Sequence, residues 1–218
     1  MGRRSAIPIC VRTLLCIILW GKMNETESLK AYNSIYLEII TRYKEYIEER
    51  EGLYLTDLPR LITPADESVV LLTKELEGNF PAYNHDENFE DAVKLAYSHV
   101  RDKIAQISLP IQFWLKPAQT IRYSAGDIFD KAVLLCSLLI AIGNVSSRVM
   151  VIVRNNDRHF VVYSEFKDKI LGIDMESGLS TYRNMDELLE RNNINKDAEG
   201  NEDTTAYEFN DKFYRDIV

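Results

Sequence analysis

The chain has 218 residues, enough for one domain of ordinary size with a helical extension. Hydrophobic residues make up 46% and charged residues 28%, and Gly and Pro are few, so extended disorder is expected only near residues 195–205. The formal net charge is −8 and the cations alternate with acids, which argues against nucleic acid as the main partner, because phosphate binding needs clustered Lys and Arg.

Cys10, Cys16 and Cys136 are the three cysteines, and their spacing is neither a disulfide framework nor a zinc pair, so reduced thiols are expected. Residues 1–22 combine a basic start with an apolar stretch, as a signal or anchor does. Arg12 interrupts the run, however, and Thr13 to Trp20 falls far short of the ~20 residues that span a bilayer. Two readings stay open: a signal or anchor, or an upstream read-through before a start at Met23, which is favoured. With the second, a cytoplasmic protein is expected; with the first, an anchored or exported one.

From Leu29 the pattern is helical. Leu29, Tyr32, Tyr36, Ile40, Tyr43 and Ile47 recur at spacings of three and four, and Gly52 ends the helix. Docking of this stripe on the protein's own core is the commoner meaning; a partner-binding face is the other. Thr63 is expected to cap a second helix, with Pro64 in its first position, Asp66 and Glu67 on the dipole's favoured side, and Gly78 as the stop. A loop with Pro81 and His85 follows. Asn88 then caps a third helix, built on Phe89, Val93, Ala96, Val100 and Ile104, with His99 on its surface or packed.

Residues 111–125 read as a loop or short strand. Gly126 and Asp127 open a central helix, with Asp127 as N-cap and Asp130 on the favoured side of the dipole. Leu134, Leu135, Leu138, Leu139 and Ile142 make this helix mostly buried, and Gly143-Asn144 ends it. Three strand-like runs follow, Arg148 to Val153, Phe160 to Tyr163 and Ile170 to Ile173, joined by short polar turns that imply antiparallel hairpins. Asn184 starts a short helix through Leu189, residues 192–204 read as a mobile loop, and Tyr207 to Tyr214 as a closing strand. The expected fold is one α+β domain, a central helix packed on an antiparallel sheet, with extra N-terminal helices as decoration. Residues 23–110 form its helical region and residues 111–218 its core.

A two-residue turn at Lys167-Asp168 pairs Phe166 with Lys169 and position 159 with position 176. Asp174 then lies diagonally from His159 on the same face, at roughly 7–8 Å between backbones, which one long and one short side chain can close. An Asp–His hydrogen bond would fix the imidazole tautomer and raise its basicity. A helix N-terminus is where a thiolate is stabilised.

Gly126-Asp127-Ile128-Phe129-Asp130, the long helix, Arg148-Val149, His159-Phe160-Val161-Val162-Tyr163 and Ile173-Asp174 together resemble the transglutaminase-like superfamily. The upstream Phe113-Trp114-Leu115-Lys116-Pro117 with Thr120 is similar to the segment before that family's nucleophile. The resemblance covers roughly residues 105–176. It implies a papain-like α+β fold with a Cys-His-Asp triad, His159 as general base, Asp174 as orienting acid, and Trp114 or Gln112 where an oxyanion-hole donor stands. The nucleophile position holds Ile128, which has no lone pair or proton to offer, so the acyl-enzyme route is closed.

Substitutes are poor. Cys136 lies eight residues on, about 12 Å along the helix, among leucines. Ser124 and Asp127 miss the motif position, and a metal site from Asp127, Asp130, His159 and Asp174 lacks short ligand spacing. The expectation is an inactive relative, with Ile128, His159 and Asp174 as a relict triad, no cofactor, no metal, and a cleft that takes a peptide or protein. The alternative is a hydrolase or transferase using His159 and Asp174 with a non-cysteine nucleophile. Membrane contact is expected only if residues 1–22 are an anchor, and the oligomeric state is left open.

Overall fold

The computed structural model describes residues 25–51, 54–155, 157–194 and 204–217. Residues 1–22, Gly52 and most of the 192–204 segment lie outside them. Among the described residues no helix is long and apolar enough to cross a membrane. The chain divides into two compact units, Met1–Arg50 and Glu51–Val218.

In the first unit, α1 (Glu25–Arg42) runs almost unbroken into α2 (Lys44–Glu51). The Tyr43 amide donates to the Ile39 carbonyl and the Ile47 amide to that of Tyr43, so the helical ladder continues through the joint. Leu29, Tyr32, Tyr36 and Tyr43 are exposed.

The second unit opens with a tight helical turn, Leu55–Leu61, that buries Leu58 and Leu61. The first long helix, α3 (Glu67–Glu77), starts later than Thr63 and Pro64 suggest. Asp66 is its N-cap, accepting from the Ser68 amide, while the Thr63 amide donates to Ser137 Oγ of the central helix. Its end at Gly78 is as expected. The next helix, α4 (His85–Lys103), starts one turn before Asn88: Asn84 caps it, and the Asn88 carboxamide reaches back to the Asn84 amide. His85 is therefore helical, not in a loop, and its ring lies against Phe89 and Phe166.

Between Lys103 and the central helix the chain forms β1 (Ala105–Gln106), α5 (Pro117–Tyr123) and β2 (Ala125–Gly126). The helix α5 replaces the loop or strand expected there. Pro117 sits at its first turn, and Gln119 Oε1 accepts from the Lys116 amide. β1 and β2 pair in parallel, with Gln106 opposite Gly126. This ties the end of α4 to the start of the central helix, α6 (Ile128–Ala141), whose residues from Phe129 to Ile140 are all buried.

Six strands follow: β3 (Arg148–Arg154), β4 (Asp157–Phe166), β5 (Lys169–Asp174), β6 (Gly178–Tyr182), β7 (Thr204–Phe209) and β8 (Tyr214–Asp216). Helix α7 (Met185–Arg191), capped by Asn184, sits between β6 and β7. The sheet order is β6-β5-β4-β3-β7-β8, antiparallel throughout. The protein is thus α+β. Strand β6 is additional to the three runs read from the sequence, and the closing segment is a hairpin rather than one strand.

Each face of the sheet has its own core. Val149, Val151, Phe160, Val162, Leu171, Ile173 and Phe209 point to α6. Met150, Ile152, Val161, Tyr163, Ile170 and Ala206 point the other way, where Leu188 of α7 and Ile194 cover them. This division places the site residues.

Candidate active site

The α6 N-terminus is held by two aspartates. Asp127 Oδ1 accepts from the Asp130 amide at 2.8 Å, and Asp130 Oδ2 accepts from the Asp127 amide at 3.0 Å, a reciprocal capping box. Asp130 Oδ1 takes the Leu115 amide at 2.8 Å, which pins the Trp114 segment beside the helix start. Glycine is required at 126, because a Cβ there would lie 2.9 Å from the Asp130 Cβ. Burial pushes the Asp130 carboxyl up, and the charge of Asp127 adds to this, against the pull of the two amides, to about 7.

Ile128, the first residue of α6, is half-buried. It lines a cleft of about 330 Å³ with Gln112, Trp114, Asp127, Arg158, Phe160 and Tyr207 among its walls. The Phe129 ring, next along the helix, stacks among Trp114, Phe160 and Phe209 with centroids 5.4, 5.5 and 6.1 Å away. The walls mix aromatic with polar side chains, and among the described residues no thiol or imidazole lines them.

His159 and Asp174 meet as the hairpin register implies. Phe166 pairs with Lys169 and Val161 with Asp174, and His159 Nε2 stands 2.9 Å from Asp174 Oδ2. The other oxygen, Asp174 Oδ1, accepts the Glu176 and Ser177 amides at 2.8 and 3.0 Å and so builds the β5–β6 turn. Burial pushes the Asp174 carboxyl up, but these amides and the imidazole outweigh it and hold it below its ordinary range. His159 Nδ1 faces Glu176 Oε2 at 3.8 Å, so both ring nitrogens are turned to carboxylates. The pair opens onto a cleft of about 620 Å³ whose walls include Arg154, Arg158, Glu176 and Arg191.

The structure does not bring Ile128 to this pair. His159 stands opposite Ile152, and Asp174 opposite Val161, and both partners belong to the core under α7. Phe160, one residue on, faces α6 and lines the Ile128 cleft. Because strand side chains alternate, His159 and Asp174 lie on the face away from α6. Among the described residues, the two clefts share only Asp157 and Arg158, at the start of β4. The three positions expected in one site are therefore divided between two.

Other candidates also lie apart. Cys136 is fully buried two turns into α6, and burial pushes its thiol up. Ser124 ends α5 in the left-handed region at φ 49°. Among the described residues no group of three or more His, Cys, Asp or Glu could hold a metal ion. The sequence reading missed Arg158, Phe160 and Tyr207 as cleft residues. Tyr207 had an aromatic segment as its signal, whereas Arg158 had only its place beside His159.

No family model matches the chain, and no curated protein does. Among solved structures, Legionella pneumophila LapG is similar, with 18% identity and a TM-score of 0.40 over 68% of this chain and 87% of that one.

Proposed function

We propose that this chain is a non-catalytic transglutaminase-like protein that works by binding, and that the cleft at the start of α6 takes a peptide or protein segment. The observation that carries this is Ile128. The helix start is built as a nucleophile's seat would be, with a reciprocal cap and the Trp114 segment pinned beside it, yet its first residue is a hydrocarbon. Trp114, Phe160 and Tyr207 around it suit an apolar side chain, while Gln112, Asp127, Asp157 and Arg158 suit the polar backbone that carries one.

The alternative is a hydrolase or transferase in which His159 and Asp174 activate water. Their 2.9 Å pairing in an open cleft favours it. Against it, both imidazole nitrogens face carboxylates, which leaves neither turned to a substrate proton.

The test is a phage-displayed peptide library panned against the wild-type chain and against Ile128→Arg. A sequence family enriched on the wild type and lost with Ile128→Arg supports the binding reading. Enrichment indifferent to Ile128→Arg defeats it. So does wild-type cleavage of a peptide that is lost with His159→Ala, which supports the alternative.

A further inference from the structure

In the second unit, Arg60, Arg101, Arg148, Arg183 and Arg215 each pair with a carboxylate. Among the described residues of that unit, Arg122, Arg154, Arg158 and Arg191 do not, although the chain is acidic at −8. Three of these four arginines line one cleft, the larger one onto which His159 opens. They come from three elements: Arg154 ends β3, Arg158 lies at the start of β4, and Arg191 ends α7. Two of them are held by uncharged groups. Arg154 Nη2 donates to the Asn192 and Asn193 carbonyls at 3.1 and 3.5 Å, and among the described residues its Nε and Nη1 hydrogens have no acceptor. The Arg191 guanidinium lies over the Tyr182 ring, 5.8 Å from its centroid. Neither contact neutralises the cation, so both positions are fixed with their charge unspent.

The acids of the cleft are placed differently. Asp157 stands opposite Arg154 in the β3–β4 register and offsets part of the charge there. Asp174 and Glu176 gather instead around His159, at the end of β5 and just beyond it. Strand β4 lies between β3 and β5, which are therefore two strand spacings, roughly 10 Å, apart. The cleft is basic toward β3 and α7 and acidic toward β5. Both Asp174 oxygens are already engaged, one by the imidazole and one by two backbone amides, whereas Glu176 is exposed.

We infer that this cleft binds a small phosphomonoester, with its phosphate on Arg154, Arg158 and Arg191 and a hydroxyl or amino group of its body donating to Glu176. A tetrahedral phosphate presents three oxygens to three separate guanidiniums, where a planar carboxylate presents two. The cleft volume of about 620 Å³ is that of a small-molecule site and exceeds what a bare phosphate fills. The inference is independent of what the Ile128 cleft binds.

The arginine Nε–H signals of the isotope-labelled full chain test it, followed by NMR as inorganic phosphate, glucose 6-phosphate or glucose is added at constant ionic strength. Both phosphates are expected to move the Arg154, Arg158 and Arg191 signals saturably and to leave that of Arg122 in place. Glucose 6-phosphate is expected to bind more tightly than inorganic phosphate, and glucose not at all. Arg158→Gln and Arg191→Gln are each expected to raise the dissociation constant roughly tenfold or more. Arg122→Gln, which removes an arginine outside the cleft, is expected to leave it unchanged. Glu176→Ala is expected to abolish the advantage of the ester over inorganic phosphate without weakening the latter. Signals that do not saturate, or binding that Arg191→Gln leaves intact, overturn the inference. So does an ester that binds no better than inorganic phosphate, which would make the cleft a site for a bare oxyanion.

Discussion

His159 and Asp174 face each other at 2.9 Å across β4 and β5, on the side of the sheet turned away from Ile128. Asp174 serves two partners there, since one oxygen takes the imidazole and the other takes the Glu176 and Ser177 amides. Asp174→Asn keeps an acceptor for the turn, whereas Asp174→Ala removes both contacts. Asp174→Ala is expected to cost about 1–3 kcal/mol near neutral pH, and Asp174→Asn less. The Asp174 carboxyl is held below its ordinary range, so its contribution is present above the unfolded value and fades as pH falls through the lower folded one. Urea unfolding should therefore show the gap between wild type and Asp174→Asn closing in acid. A gap that is constant with pH would mean that the charge of Asp174 adds nothing to the turn.

The separation of Ile128 from His159 is open to direct chemical test. A thiol at position 128 would sit at a helix N-terminus, which lowers thiol pKa values below their usual ~8.5. Alkylation of Ile128→Cys by iodoacetamide is expected to titrate below that value, and adding His159→Ala is expected to leave its rate unchanged. A collapse of labelling on His159→Ala would mean that imidazole and thiol meet in solution.

Much of this arrangement could be read from the chain, and the unread parts have specific causes. The helix α6 was legible because leucines run along it between an Asp cap and Gly143, which does take a positive φ of 118°. The pairing of His159 with Asp174 was legible because the turn at Lys167-Asp168 fixes the register. Which face the pair occupies was not. Phe160, Val161, Val162 and Tyr163 are all apolar because α6 covers one side of β4 and α7 with Ile194 covers the other. A strand buried on both sides loses the alternation that tells one face from the other. The two missed helix starts share a cause as well. Asp66 and Asn84 each compete with another plausible signal nearby, Thr63-Pro64 before the first and Asn88 after the second. Contacts distant in sequence, such as Thr63 with Ser137, decide between them.

Asp130 makes the stability of the α6 N-terminus depend on pH. Its carboxyl is nearly inaccessible and is pushed from 3.8 to about 7, first by burial and then by the charge of Asp127. A raised carboxyl holds its proton longer in the folded chain than in the unfolded one. The stability this confers is complete below the unfolded value and is lost as pH rises through about 7. Asp130→Asn removes that titration. The stability of the wild type relative to Asp130→Asn is expected to fall as pH rises across this window, by an amount on the order of a few kcal/mol at most. Chemical denaturation of both chains at a series of pH values measures it. A flat difference would mean that Asp130 ionises freely and that the amides of Asp127 and Leu115 offset its burial.

On the far side of the sheet, Glu208 is fully buried and anchors the β7–β8 hairpin to β3 and β4. It accepts from the Tyr163 hydroxyl and from Arg215 Nη2, each at 2.5 Å, and Arg148 Nη1 stands 3.9 Å away. Arg148 also donates to the Tyr163 oxygen at 3.0 Å, so the four side chains form one network. Removing Glu208 strands the buried Tyr163 hydroxyl, while Arg148 keeps Glu165 Oε1 as a partner at 3.0 Å and Arg215 is exposed to water. Glu208→Ala is therefore expected to cost about 1–3 kcal/mol. Tyr163→Phe takes away one donor and keeps the ring, so about 1–2 kcal/mol is expected. Because the two residues share partners, the double variant should lose less than the sum of the singles. Urea unfolding of the four chains in a double-mutant cycle gives the coupling directly. Strict additivity would mean that Glu208 is held by its arginines alone and that the Tyr163 contact contributes nothing.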